Sequence, residues 1–148
     1  MKTIIIILII AAFLQTTILP LDLVLIILIC RAYVRAEKGN LTLGFLIGLL
    51  ISHLSLAPLG VQSILYISSV QITQMLSKSR LAGNSFIIIP LSFIFLATFE
   101  AINSQVLHQT MQIFPKVLIE SILALPVLYI LKLWEERFIV RKDIKLKI

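Results

Sequence analysis

Residues 39–77 contain no Asp, Glu, Lys or Arg, and neither do residues 81–99. Uncharged stretches this long and apolar need either a large protein core or hydrocarbon around them. A chain of 148 residues that is 59% hydrophobic and only 14% charged, with a mean hydropathy of +1.08, is too small to hide that surface from water. The sequence therefore predicts an all-α, polytopic integral membrane protein forming a single helical-bundle domain over 1–148.

Six apolar segments can be drawn, at about 3–19, 21–35, 41–57, 60–77, 84–101 and 115–133, each close to or just under the roughly 20 residues that cross a bilayer core. The second is the weakest. Its clean apolar core runs only from Leu23 to Cys30, so a span there requires Arg31 to extend its long stem toward the interface. Breaks fall at turn chemistry: Pro20 before Asp22, Lys38-Gly39-Asn40, Pro58-Leu59-Gly60, and Lys78-Ser79-Arg80 before Gly83-Asn84. The polar stretch between Ala101 and Lys116, which includes Asn103, His108 and Gln112, is expected to form a surface-lying helix or a loop.

Positive residues beside short spans stay on the cytoplasmic side. With six spans and both termini cytoplasmic, Lys2, Arg31, Arg35, Lys38, Lys78, Arg80, Lys132, Arg137, Arg141, Lys142, Lys145 and Lys147 fall inside, and only Lys116 falls outside. Removing one span would reverse every later loop and destroy this split. The start imitates a secretory signal, but no small-residue cleavage site follows it, so it reads as a retained first span. The tail 134–148, opened by Trp134 at interfacial depth, is basic and suits an anionic leaflet, at about 1 kcal/mol per positive residue near the surface.

Gly44, Gly48 and Ser52 recur every four residues, placing a strip of small side chains on one face of the third segment. Such strips let helix backbones approach closely in lipid, within the chain or against a partner. Asp22, His53, Glu100 and Glu120 all fall toward the outer ends of their segments. Solvation at the interface accounts for them most simply, and a shared polar pocket is the sharper alternative; Glu120 draws most notice because it lies inside an apolar run. No metal or cofactor is expected, since the lone cysteine, Cys30, reads as a small apolar residue and His53 and His108 are too far apart for a local metal pair. Glu135-Glu136-Arg137 lacks the spacing of the membrane CAAX-type proteases. No zinc-hydrolase, serine-hydrolase or phosphate-loop motif occurs, so an enzyme is not expected. Basic residues lie beside apolar segments without interleaved aromatics, which argues against nucleic acid.

Two stretches resemble a known family. Leu14-Gln15-Thr16-Thr17-Ile18-Leu19-Pro20 followed by Leu21-Asp22-Leu23-Val24-Leu25-Ile26 is similar to the end of the first helix and start of the second in MreD-type rod shape-determining proteins. Gly44-Phe45-Leu46-Ile47-Gly48-Leu49-Leu50, then Pro58-Leu59-Gly60 and Tyr66, resembles that family's Gly-Phe, Pro-Leu-Gly and Tyr core. Where the family often carries an Asp after the second Gly and a Gly before Pro-Leu-Gly, this chain has Ser52-His53 and Leu56-Ala57, so no role of that Asp is carried over. The resemblance implies a non-enzymatic inner-membrane component of the cell-elongation machinery. It would work with an MreC-like bitopic protein and connect MreB to the RodA and transpeptidase wall synthases of peptidoglycan synthesis. A rival reading is the substrate-binding membrane subunit of an energy-coupling-factor type vitamin transporter, which has a similar size and span count.

The charge split makes a testable statement about sidedness. Cysteines placed at Lys38 or Arg80 should be labelled by an impermeant thiol reagent only after the cells are opened. Labelling of position 80 in intact cells rules the six-span arrangement out.

Overall fold

Each of the six apolar segments forms one helix: α1 (Lys2–Thr17), α2 (Leu23–Val34), α3 (Lys38–Leu54), α4 (Val61–Ser77), α5 (Ile88–Leu107) and α6 (Leu118–Lys145). A 3-10 turn, Ser85–Ile87, leads into α5 and a π-helical turn, Ile113–Val117, leads into α6. The computed structural model describes residues 2–18, 21–79, 83–108, 110 and 113–145, and only the backbone at 107, 113, 114 and 138–145. Pro20, Arg80, Gln112 and Lys147, and the side chains of Arg141, Lys142 and Lys145, lie outside the described part. No strand occurs among the described residues.

The shortest helix occupies the centre. α2 packs against all five other helices, and Val24, Leu25, Ile26, Leu28, Ile29, Cys30, Arg31 and Ala32 are buried on it. A helix that is apolar all round must be covered all round. Its twelve residues reach about 18 Å, well short of a bilayer core of about 30 Å. Two helices, Ser85–Val106 and Pro115–Arg137, are long and apolar enough to cross a membrane; α1, α2 and α3 are apolar but shorter. The outer surface stays strongly apolar, with Ile6, Ile10, Ile64, Ile94, Ile122 and Ile130 each more than half exposed.

Helix direction alternates. The C-terminal ends of α1, α3 and α5 meet the N-terminal ends of α2, α4 and α6 around Asp22, Glu100 and Glu120, which makes one end of the bundle acidic. At the opposite, basic end Arg31 of α2 turns inward instead of reaching toward an interface. It is only 6% exposed, its Nε donates to Asn40 Oδ1 at 2.9 Å, and its other nitrogens lie 3.8 Å from Glu37 and from Glu135. Gln74 donates to the Glu37 carbonyl at 2.7 Å, which draws α4 into the same network. The charge flagged as an obstacle to a second span thus ties α2, α3 and α6 together. The polar stretch after Ala101 also differs from expectation. Its first half continues α5 to Leu107, where His108 ends the helix in the left-handed conformation.

The strip of small residues on α3 faces α4. A Cβ on Gly48 would lie 2.5 Å from the Ser63 Cα and 2.9 Å from its backbone nitrogen, a separation that two helix backbones reach only when one side chain is missing. Gly44 has ordinary room, 3.6 Å to Val70 Cγ2, and Ser52 is fully buried. Gly60, at φ +98°, starts α4 in a conformation that costs glycine little.

Gly48→Leu should therefore reduce the yield of folded, detergent-extractable protein severely, whereas Gly83→Leu, with open space around the Cβ, should be tolerated. Gly44→Ala should lie near wild type. Equal tolerance of all three changes in a size-exclusion and circular-dichroism assay disproves the close α3–α4 contact.

Candidate functional site

A cavity of about 290 Å³ opens at the acidic end, between the ends of five helices. Asp22 and Glu100 supply its carboxylates, and Gln15, Thr16, Ser55, Gln62, Asn103 and Ser104 its amide and hydroxyl groups. Ile51, Leu54 and Phe99 form the apolar part of the wall. Phe99 is held in place by Tyr66, whose ring centroid is 5.5 Å away.

The site is assembled around the exposed backbone of α2. The first turn of any helix has N–H groups with no partner inside the helix. In a buried helix, side chains must accept them. Glu120 Oε1, from α6, accepts the Asp22 N–H at 2.8 Å, and Gln15 Oε1, from α1, accepts the Val24 N–H at 3.2 Å. Gln15 Nε2 also donates to Asp22 Oδ1 at 3.1 Å, which orients the carboxylate. Asp22 itself makes no capping bond to its own helix, leaving its oxygens for other partners.

Those partners include Lys116. Carried on the π-helical turn before α6, its Nζ lies 3.1 Å from Glu100 Oε2 and 3.5 Å from Asp22 Oδ2. Inserting an extra residue per turn shifts side-chain direction, and such turns recur at functional sites. Here the turn places the ammonium between two carboxylates. Two carboxylates thus hold one ammonium, with Glu120 bound to the Asp22 backbone beside them, and all four side chains are largely buried.

Of the four ionisable residues grouped by sequence, Asp22, Glu100 and Glu120 come together. His53 does not: it is exposed on α3 and is not part of the cavity wall. Lys116 and Gln15 also belong to the site, although the sequence marks Lys116 only as the exception to the charge split and Gln15 only as part of the stretch that carries the resemblance. Asn103, which the transporter reading places with His108 in an outer polar pocket, lines the cavity together with Ser104; His108 does not. Pro58 and Leu59 are exposed in the α3–α4 turn. Among the described residues, no group of three or more His, Cys, Asp or Glu could hold a metal ion.

Glu120→Leu should destabilise the detergent-solubilised protein by about 1–3 kcal/mol, because it strands a buried N–H. Glu120→Gln keeps an acceptor there and should unfold near wild type. Lys116→Met should cost more than Glu100→Gln, and the double variant should recover part of that loss; additive effects would show that the three charges are not coupled. No protein-family model matches the chain, and neither a curated protein nor a solved structure does.

Proposed function

We propose that the chain is a multi-pass protein of the bacterial cytoplasmic membrane, with six spans and both termini cytoplasmic, and that it acts as a non-enzymatic scaffold of the MreD type in the cell-elongation machinery. The observation that carries this reading is that three residues of the resemblance, Gly48, Gly60 and Tyr66, each have a structural role in the α3–α4 pair. Gly48 meets Ser63, Gly60 turns the chain, and Tyr66 is fully buried against Phe99. Leu56 adds to it. It is one of the two residues, Leu56-Ala57, that stand where the family often has a Gly before Pro-Leu-Gly, and its backbone has a left-handed φ of +54°, a conformation that glycine takes without strain.

Membrane embedding is supported by the apolar outer surface together with the two long apolar helices. The shorter helices fit the same bundle because they pack against neighbours, and the ends of α2, the shortest of them, are completed by buried side chains. The orientation follows the charges, with the Lys/Arg-rich end inward and Lys116 the single outer cation. Partners are proposed from the resemblance: an MreC-like bitopic protein, MreB, RodA and a transpeptidase.

A second reading is favoured by one feature. The acidic-end cavity is the kind of site that a substrate-binding membrane subunit of an energy-coupling-factor type vitamin transporter would need at its outer face. Co-purification separates the two. Depletion of the native gene should widen cells, and the wild-type chain should restore width and retain an MreC-like partner. Retention of ATPase subunits with no effect on width refutes the scaffold and supports the transporter.

A further inference from the structure

We propose that α4 pairs with α4 of a second copy of this chain, along a seam of Ile64, Ser68, Gln71 and Met75, with the two Gln71 amides hydrogen-bonded to each other near its middle. α4 packs on α2 and α3 through one face, and that face takes most of its polar residues: Gln62, Ser63, Tyr66, Ser69, Thr73 and Gln74 are all buried. Ser69 and Thr73 donate to carbonyls of their own helix, and Gln74 donates to the Glu37 carbonyl. Gln71 is the exception. It is exposed on the opposite side of the helix, and no hydrogen bond reaches its amide from a described residue.

Two aspects of its position keep that amide from water. Gln71 lies seven residues before Lys78, about 10 Å from the nearer interface along the helix. Side chains on a helix lean toward its N-terminus, so the amide is directed to the middle of the bilayer, away from that interface. In hydrocarbon an unpaired amide is costly, and such groups draw helices together. The partner must offer both a donor and an acceptor. A carboxamide fits its own kind, because its hydrogens carry positive and its oxygen negative partial charge. Copies inserted in one orientation are related by a twofold axis along the membrane normal, which sets their α4 helices parallel and brings each residue to its own counterpart. The remaining seam suits this pairing. Ile64, Ser68, Gln71 and Met75 follow one another at steps of four, three and four, the repeat of a left-handed helix pair. Ile64 and Met75 are each 66% exposed and give apolar contact on either side of the amide. Ser68 is small, and its hydroxyl is turned back to the Ile64 carbonyl at 2.7 Å, so it permits close approach. The seam carries no charge within the span; Lys78 continues the spacing only at the interface, where water and salt screen it.

The seam rests on the membrane embedding proposed above and is independent of the scaffold reading. Its test uses the full chain, expressed together in two differently tagged forms and oxidised with copper phenanthroline in carbonate-washed membranes. Ser68→Cys and Met75→Cys probe the seam. Ile10→Cys on α1 and Ile94→Cys on α5, at equally outward positions, are the controls, and the wild-type chain, whose one cysteine is buried, is the blank. The seam variants should give a disulfide-linked adduct carrying both tags, and the controls should not. Gln71→Leu, which faces outward and leaves the packing on α2 and α3 intact, should weaken association of the purified chain about tenfold, followed by energy transfer between labelled copies diluted in lipid vesicles. Gln71→Asn, which keeps an amide, should retain most of it.

The outcomes separate the seam from the embedding. A chain stripped from membranes by carbonate refutes both. A retained chain that gives no adduct, gives as much at the control positions, or links only to a different polypeptide overturns the seam alone. Association unchanged in Gln71→Leu does the same.

Discussion

A helix buried on every side has nowhere to send the N–H groups of its first turn except to side chains brought by its neighbours. That constraint shapes the acidic end of this bundle. α2 is short and enclosed by its neighbours, and its first turn is met by Gln15 from α1 and Glu120 from α6. The carboxylate on Glu120 is therefore accounted for by the backbone it caps, and the same cap fixes where Asp22 sits. Once Asp22 is fixed, Lys116 and Glu100 have a partner to organise around, and the cavity wall follows.

The basic end mirrors this arrangement. Arg31 lies in the last turn of α2, where the backbone carbonyls carry partial negative charge, and Asn40, Glu37 and Glu135 complete its surroundings. One helix thus carries an acidic residue at its positive pole and a basic residue at its negative pole. Each is tied to different neighbours. α2 is held at both ends by polar contacts and along its length by apolar ones, including Cys30, whose thiol donates to the Ala124 carbonyl at 3.3 Å.

Hydropathy and turn residues were enough to place all six helices, because each segment is apolar and each break has Pro, Gly or charge. They were not enough to rank them. The segment with the shortest clean core looked weakest as a span, yet that brevity and its all-round apolarity are what a central helix requires. Periodicity located Gly44, Gly48 and Ser52 on one face, but only the structure distinguishes Gly48, pressed against the Ser63 backbone, from Gly44, which has room. The grouping of Asp22, Glu100 and Glu120 followed from depth along the chain. Depth says nothing of azimuth, which is why His53 was grouped with them and points elsewhere.

The contact between Asp22 and Glu120 joins residues 98 positions apart, and Cys30 to Ala124 spans 94. During synthesis α2 therefore emerges long before the helix that caps and covers it. Until α6 is made, a short segment with an acid at one end and an arginine at the other lacks its cap, and the bundle is open on that side. Completion depends on the last helix closing over a centre laid down near the start. Chains released before α6 would expose an uncapped helix end and the Arg31 charge without Glu135, features that distinguish unfinished copies from finished ones.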